Sequence, residues 1–436
     1  MVKVITYGSF DHLHQGHINL LKRAKALGDY LIVGVTTENF DISRGKINIE
    51  QSLMDRIEAV KKLGIADLII PEEYEGQKID DIKRFGVNIF TVGSDWVGKF
   101  DYLNEFCKVI YLERTKGISS TQIRNKKVLK IGVIGSINSM YKLVEESKYV
   151  NGVEVNDVYY DGEKPLASYP LFEVDSYDDL IERNDAIYIA SKPENHYKNI
   201  MTALRNGCHV ICDSPIALTE KEAMNAFEYA KKHNLVLFDS LKTSYILAYN
   251  RLISIAKSGI IGNIKALDAT CTSQENLNFI RNNKYGTSFT LWGHYVVLPI
   301  IELFGKDYKK IEFNIFDDDN NDDIYTKAVF LFDNAIGTAS VGIGVKSEGD
   351  LRISGTGGYI YVPSPWWKTE YFEVKFEDQS QNKKYFFKLN GEGLRTELVC
   401  FLHAVNYNKP NIYIDEELSI EISNIFEKFI KVLKNK

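Results

Sequence analysis

Two histidines stand three positions apart in His14-Gln15-Gly16-His17, where a short apolar run gives way to a helical pattern. Far downstream lies a second polar cluster, Arg114-Thr115-Lys116-Gly117-Ile118-Ser119-Ser120-Thr121. At a helix start, imidazoles with this spacing can face one point. Free backbone N–H groups and the helix dipole already favour an anion there. Gly16 lets backbone and ligand approach closely. In the second cluster Arg114 offers a permanent forked cation, and Ser119, Ser120 and Thr121 offer hydroxyls at an expected helix start. Together these groups suit a phosphoryl centre that gains charge in its transition state. His12 fits no position of the pattern and reads as structural or exposed.

The elements that must position these groups follow from hydrophobic periodicity. Val2 to Tyr7 reads as a strand closed by Gly8, and Gly8-Ser9-Phe10-Asp11 as a loop. Ile18, Leu21, Ala24 and Ala26-Leu27 recur at helical spacing, with Gly28 as the expected C-cap. Tyr30 to Val35, Leu68 to Ile70 and Asn88 to Val92 are further strands, and Arg56 to Leu63 is helical. Such alternation implies a parallel, doubly wound sheet whose ligands sit at the carboxyl ends of its strands. Both histidines belong to that edge.

Tyr7-Gly8-Ser9-Phe10-Asp11, His14-Gln15-Gly16-His17, Gly93-Ser94-Asp95-Trp96 and Arg114-Thr115-Lys116-Gly117-Ile118-Ser119 occur in an order that resembles the nucleotidylyltransferase superfamily. The specific likeness is to the glycerol-3-phosphate cytidylyltransferases, over residues 1–125. It implies attack of an alditol-phosphate oxygen on the α-phosphorus of CTP, loss of pyrophosphate, a divalent cation such as Mg2+, and no covalent intermediate. By the same resemblance His14 and His17 stabilise the pentavalent transition state, and Arg114, Ser119 and Ser120 or Thr121 hold the triphosphate. Gly8, Ser9, Phe10, Asp11, Gly16, Asp95 and Trp96 shape the nucleotide and acceptor pocket. Lys46, in Arg44-Gly45-Lys46, is either a phosphate ligand or a loop lysine.

A second module begins without a linker. Val128 to Ile134, Val155 to Tyr160, Ala186 to Ala190 and Val210 to Cys212 read as strands of another doubly wound sheet, spanning residues 128–245. Residues 246–436 change texture. Strand-like runs at Ile264 to Thr272, Ile311 to Ile315, Tyr325 to Phe332, Ile336 to Val341, Asp350 to Gly355 and Tyr359 to Val362 suggest a mainly antiparallel sheet with helices on one side. Asp317 to Asp323 reads as a charged, wet loop, and Glu416 to Leu433 as a closing helix.

Gly132-Val133-Ile134-Gly135, Pro193-Glu194-Asn195-His196, Cys212-Asp213-Ser214-Pro215, Gly259-Ile260-Ile261-Gly262 and His294 resemble the Gfo/Idh/MocA oxidoreductases. This likeness implies NADPH or NADH on Gly132, Gly135, Ser136 and Ile137. Asp161 would reach the ribose, and Ser191, Pro193, His196, Ser214 and Pro215 would line the cofactor. Three departures stand out. Ile137 holds the second fingerprint glycine position, where its side chain would crowd the pyrophosphate. Ser214 holds the lysine position and Thr290 the aspartate position. His294 remains as proton donor or acceptor, and Lys242 and Thr290 join it around a reductase substrate. An active reductase and a retired scaffold both remain open.

Composition bounds the rest. The chain has 436 residues, a net charge of −6 and 44% hydrophobic residues, which argues for several packed domains and against a general basic nucleic-acid surface. Its five cysteines give neither zinc spacing nor a disulfide framework, and Cys208 and Cys212 read as buried thiols. No signal peptide or membrane-length apolar run is visible, so a cytoplasmic homo-oligomer without membrane contact is expected. The resulting expectation is an α/β protein with three domains, 1–127, 128–245 and 246–436. It would reduce a sugar phosphate to an alditol phosphate and activate that as a CDP-alditol for a surface polymer such as teichoic acid or capsule. The alternative is a monofunctional cytidylyltransferase carrying a redox-inactive binding or oligomerisation domain.

Overall fold

The computed structural model describes residues 1–37, 40–41, 49, 51–74, 76–113, 128–135, 137–161, 171–274, 288–319, 322–407 and 410–436. The chain divides into two compact units, Met1–Val128 with Lys148–Gly152, and Leu129–Ser147 with Val153–Lys436.

Among the described residues, the first unit carries a five-stranded sheet in the order β3-β2-β1-β4-β5. Its strands are β1 Lys3–Gly8, β2 Tyr30–Thr36, β3 Leu68–Glu72, β4 Ile89–Gly93 and β5 Lys108–Leu112, and all pairings are parallel. Val4, Ile5, Leu31, Ile32 and Val33 are buried as neighbours in sequence, the pattern of a sheet covered on both faces. Helices α1 Gln15–Lys25, α2 Leu53–Lys62 and α3 Gln77–Phe85 supply the cover. Strand order reverses between β1 and β4, which opens a crevice beyond their carboxyl ends.

One local expectation fails here. Helix α1 stops at Lys25 with Ala26 as C-cap, so Gly28 is no cap. Gly28 is needed for a different reason: a Cβ there would come within 2.6 Å of the Val2 carbonyl oxygen. The glycine serves close packing of the turn on β1.

Among the described residues, the second unit opens with a six-stranded parallel sheet in the order β11-β10-β9-β6-β7-β8. Its strands are β6 Leu129–Gly135, β7 Val153–Tyr159, β8 Phe172–Glu173, β9 Ala186–Ala190, β10 His209–Asp213 and β11 Leu237–Ser240. Helices α4 Ile137–Ser147, α5 Tyr177–Arg183, α6 Pro193–Arg205 and α7 Glu220–Lys232 alternate with them, and α8 Leu247–Lys257 follows. The reversal of strand order lies between β6 and β9.

An eight-stranded mixed sheet completes this unit: β12 Ile264–Ser273, β13 Lys310–Asp317, β14 Asp323–Leu331, β15 Ile336–Ile343, β16 Leu351–Gly355, β17 Tyr359–Val362, β18 Tyr371–Lys375 and β19 Lys383–Phe386. It is mostly antiparallel; β12 and β15 pair in parallel. Helix α9 Ser288–Phe304 packs on β12, β14 and β15, and α10 Leu394–Tyr407 and α11 Glu416–Lys434 follow later.

Strands β18 and β19 escaped the sequence reading, because Lys, Glu and Tyr alternate there without a buried stripe on β19. Helix α9 escaped it too. The helix is apolar nearly all round, so its Val296-Val297-Leu298 run carries no helical period. Asp323 also departs from expectation. It is fully buried, and one carboxylate oxygen accepts hydrogen bonds from the backbone N–H groups of Ser288 and Phe289, each at 3.0 Å. The acid caps the start of α9 from a distant strand.

Candidate functional site

In the first unit the loop after β1 is fixed by buried polar groups. Arg56, on α2, is fully buried and donates from Nη1 to the Ser9 carbonyl at 2.9 Å and the Thr36 carbonyl at 2.8 Å. Its Nε donates to the Gln51 carbonyl at 3.0 Å. The Gln51 N–H in turn donates to Asp11 Oδ1 at 3.0 Å. Phe10 and His12 take left-handed backbone angles, φ 51° and 46°, and Phe10 is fully buried. The loop is held in a conformation that costs energy, as expected of a segment that must present a ligand site. Gly8 helps, because a Cβ there would lie 3.0 Å from the Phe10 ring.

His14 is the N-cap of α1. Its Nδ1 accepts from the backbone N–H of Gly16 at 3.1 Å and of His17 at 3.3 Å. These N–H groups, expected to await an anion, are thus taken by the imidazole itself. The bonds place the proton of a neutral ring on Nε2, which remains as its donor. The His14 and His17 rings stack with centroids 3.8 Å apart, and Phe10 meets His17 edge-on at 5.4 Å. The paired imidazoles lie at the carboxyl end of β1, beside the crevice.

Trp96 follows β4 on the same edge, with its ring 5.9 Å from Phe100. Also near the ends of β1 and β3, Lys78 forms a buried ion pair with Glu72 and lies 4.7 Å above the Tyr7 ring. Lys46, Arg114, Ser119, Ser120 and Thr121 lie outside the described residues, as does the side chain of Asp95. Among the described residues, no group of three or more His, Cys, Asp or Glu is arranged to hold a metal ion.

In the second unit Gly135 ends β6 at φ 139°, and a Cβ there would lie 2.2 Å from the Ala190 carbonyl. That bare strand end faces the start of the β9–α6 turn, where Ser191 is buried and Pro193 opens α6. Gly132 sits within the strand and makes room for Leu180 and Asn184, so it serves packing. His196 is a clasp: its Nδ1 lies 2.7 Å from the Pro215 carbonyl and its Nε2 lies 2.8 Å from the Ser191 carbonyl. Asp161 is exposed just past β7. Ser136 and the side chain of Ile137 lie outside the described residues.

A charged cluster gathers beyond β9, β10 and β11. Lys242 Nζ lies 3.1 Å from Asp213 Oδ1, and the Tyr188 hydroxyl donates to the same oxygen at 2.7 Å. The Tyr188 hydroxyl is also 3.0 Å from Ser240 Oγ. Burial opposes charge on Asp213, yet Lys242 and Tyr188 hold its carboxyl below the usual range. Burial opposes charge on Lys242 as well, but Asp213 outweighs it and raises the ammonium well above the ordinary lysine value. Both side chains keep some exposure, 23% and 26%, so the pair is open to a ligand.

His294, on α9, is nearly buried, and among the described residues its Nδ1 has no hydrogen-bond partner. Burial, opposed by Asp213 and helped by Lys242, pushes it down to about 3. The imidazole is therefore neutral. Thr290 is fully buried one turn earlier, and Ser214 Oγ is buried without a well-formed hydrogen bond among the described residues. Behind the cluster lie two buried acids, Asp239 and Glu397, whose carboxylate oxygens likewise lack well-formed bonds among the described residues. Burial pushes Asp239 up to about 7 and Glu397 up to about 8.

Sequence reasoning missed Arg56, Tyr188, Asp213, Asp239 and Glu397 as participants. Arg56 left a trace: it falls on the apolar spacing of Leu53, Ile57 and Val60, where a charged residue must be paired.

Comparison with known proteins agrees with this division. Residues 5–126 match the model of the cytidylyltransferase-like family, and residues 128–240 that of the oxidoreductase family with an NAD-binding Rossmann fold. The chain is similar to the glycerol-3-phosphate cytidylyltransferase of Bacillus spizizenii, 49% identical over 124 residues, 28% of this chain and 95% of the relative. The Staphylococcus aureus enzyme of that name is 46% identical over 129 residues, 29% of this chain and 95% of the relative. A crystal structure of a 3-ketoreductase from Actinomadura kijaniata with NADP and TDP-benzene superposes with a TM-score of 0.60 and 16% identity, covering 69% of this chain and 96% of that one. A UDP-N-acetylglucosamine 3-dehydrogenase from Acidithiobacillus ferrooxidans gives 0.57 and 15%, covering 70% and 100%. At those identities the likeness is one of fold. Through its first unit the chain belongs to the cytidylyltransferase-like family, and it joins to that enzyme domain, in one polypeptide, a Gfo/Idh/MocA-type oxidoreductase domain.

Proposed function

We propose that the chain is a bifunctional enzyme of CDP-alditol metabolism, working in the cytoplasm as a homo-oligomer and serving a surface polymer such as teichoic acid or capsule. The first unit transfers cytidylyl from CTP to an alditol phosphate; glycerol 3-phosphate, ribitol 5-phosphate and a hexitol 6-phosphate are the candidates. The second reduces a carbonyl of the sugar to a carbinol of that alditol, using NADPH or NADH. Its domains are residues 1–127, 128–245 and 246–436. The stacked His14–His17 pair at the crevice edge carries the first half of this reading.

In the first reaction an acceptor phosphate oxygen bonds to the α-phosphorus of CTP while the bond to pyrophosphate breaks. The Nε2–H of His14 and the ring of His17 stabilise the charge that builds on the phosphoryl oxygens. Lys46, Arg114, Ser119, Ser120 and Thr121 hold the triphosphate, with Mg2+ on its oxygens. Gly8, Ser9, Phe10, Asp11, Gly16, Asp95 and Trp96 frame the base and acceptor.

The second unit fits a nicotinamide dinucleotide at the switch point, where Gly135 leaves a strand end without a side chain and Ser191 and Pro193 open the next helix. When bound, that group supplies the hydride. Lys242, kept protonated by Asp213, stabilises the alkoxide and moves the proton at its Nζ. It does so in place of the lysine absent at Ser214. Neutral His294 orients the hydroxyl by hydrogen bonding.

The sugar can meet the units in either order. Reduction first means a ketose or aldose phosphate becoming the alditol phosphate; transfer first means the ketose or aldose phosphate taking the cytidylyl group and its CDP-linked carbonyl then being reduced to the CDP-alditol. Ser214 and Thr290, standing where the resemblance implies lysine and aspartate, favour a second reading, a monofunctional cytidylyltransferase with a redox-inactive domain. Incubation with CTP, Mg2+, either reduced cofactor and a panel of sugar and alditol phosphates tests both. Cofactor turnover with a CDP product from any carbonyl-bearing sugar phosphate supports the bifunctional enzyme, and CDP products without turnover on every such acceptor support the second reading.

A further inference from the structure

The second unit holds a cavity of about 560 Å³ lined by Trp292, Tyr295, Trp367, Lys346, Gln274 and Ser364, among others. It adjoins the charged cluster. Tyr295 follows His294 in sequence, and the two rings lie 4.2 Å apart. The Tyr295 and Trp367 rings lie 6.2 Å apart. Thr243, next to Lys242, donates its hydroxyl to the Trp367 carbonyl at 2.9 Å.

The aromatic wall is built to stay in place. Trp366 is fully buried and donates its indole N–H to the Thr270 carbonyl at 2.9 Å. That anchor holds the neighbouring Trp367, which is half-buried at the cavity, as are Trp292 and Tyr295. Lys346 is exposed at the cavity, and the described lining residues include no acid. Three half-buried rings beside one unpaired sign of charge suit a planar base joined to phosphate.

We propose that this cavity binds the nucleoside diphosphate end of the redox substrate, so that the second unit reduces the carbonyl of a cytidine-diphosphate-linked sugar to give the CDP-alditol, rather than acting on a free sugar phosphate. The proposal rests on reading that unit as a polyol oxidoreductase. Size supports it: about 300–1,000 Å³ is typical for ligands of drug size, and an open-chain sugar phosphate would fill little of this space. Chemistry supports it as well, since a bare sugar phosphate presents no flat face for three rings. The base stacks on Trp367 or Trp292, Lys346 meets the diphosphate, and the sugar extends past Tyr295 toward Lys242 and His294. The first unit is then the supplier of this substrate.

The four tryptophans allow a direct test, because three of them, Trp292, Trp366 and Trp367, belong to the second unit. In a Trp96→Phe background, indole fluorescence reports that unit alone. Titration with CDP is expected to quench it saturably, and Trp367→Leu or Trp292→Leu to weaken that binding about tenfold or more. Lys346→Gln is expected to weaken CDP but not cytidine. Retained NADPH binding, read by nicotinamide fluorescence, shows that a variant is folded and tests the oxidoreductase reading separately. NADPH binding without any CDP response overturns the proposal and leaves the oxidoreductase standing. A response to ribitol 5-phosphate but not to CDP overturns it too. A CDP response without NADPH binding supports the nucleotide pocket and removes the redox role.

Discussion

Each unit places an imidazole at its site, and the two are wired in opposite ways. His14 is tied at Nδ1 to two N–H groups of its own helix, so local backbone sets its tautomer. His294 is buried on an apolar helix with no partner at Nδ1 among the described residues, and burial drives it to about 3. In the first unit a contiguous stretch orients its own chemistry. In the second the charge arrives from elsewhere: Lys242 follows β11, Asp213 ends β10, and Tyr188 lies on β9. The neutral imidazole is suited to positioning a hydroxyl, and the protonated Lys242 to meeting negative charge.

The largest expected effect lies in the first unit. His17→Ala should lower kcat for cytidylyl transfer about 100- to 1,000-fold while changing CTP affinity little, because the ring acts on charge formed in the transition state. Steady-state kinetics with a separate CTP titration check this, and unchanged turnover would remove His17 from that role. NADPH binding should not move.

Lys242→Met sharpens the contrast from the other side. Hydride exchange should fall about 100- to 10,000-fold, with cytidylyl transfer intact. Were His294 the sole proton carrier, His294→Ala would abolish exchange and Lys242→Met would spare it.

A smaller effect concerns pH. Asp239 and Glu397 titrate at about 7 and about 8 in the folded chain, above the ordinary 3.8 and 4.5. The folded chain thus keeps protons that the unfolded chain has released. Their contribution is complete below about pH 4 and declines as pH rises, until the folded groups ionise near pH 8. Glu397→Gln should raise the second unit's Tm by several degrees at pH 8.5 and leave it nearly unchanged at pH 4. A wild-type Tm that rises over that interval in step with the variant would contradict the assignment.

The smallest effects separate the units themselves. Ser52 caps α2 and Thr219 caps α7, each accepting a backbone N–H. Replacing either by alanine should cost about 1 kcal/mol. Calorimetry should show Ser52→Ala shifting only the first unit's transition and Thr219→Ala only the second's.

What could be read in the sequence follows the same division. His14, His17, Gly8 and Trp96 lie on one sheet edge because alternating strands and helices fix where carboxyl ends fall. Arg56 lay hidden on an apolar face, and the capture of the Gly16 and His17 N–H groups by His14 is a matter of local geometry that residue types do not announce. In the second unit the fold was visible in β-branched runs, but the Lys242–Asp213–Tyr188 cluster joins residues far apart in sequence through sheet register. Helix α9, apolar nearly all round, carried no period to betray it. Asp323 looked like loop polarity and is a buried cap.

The most direct test of the account is the mass of the cytidine-diphosphate product, compared with and without nicotinamide cofactor in wild type and in Lys242→Met. With a ketose or aldose phosphate as acceptor, the wild-type product is expected to gain one pair of hydrogens when NADPH or NADH is supplied, and Lys242→Met to form the unshifted product at an undiminished rate. An identical mass under every condition, with cofactor unconsumed, would contradict it.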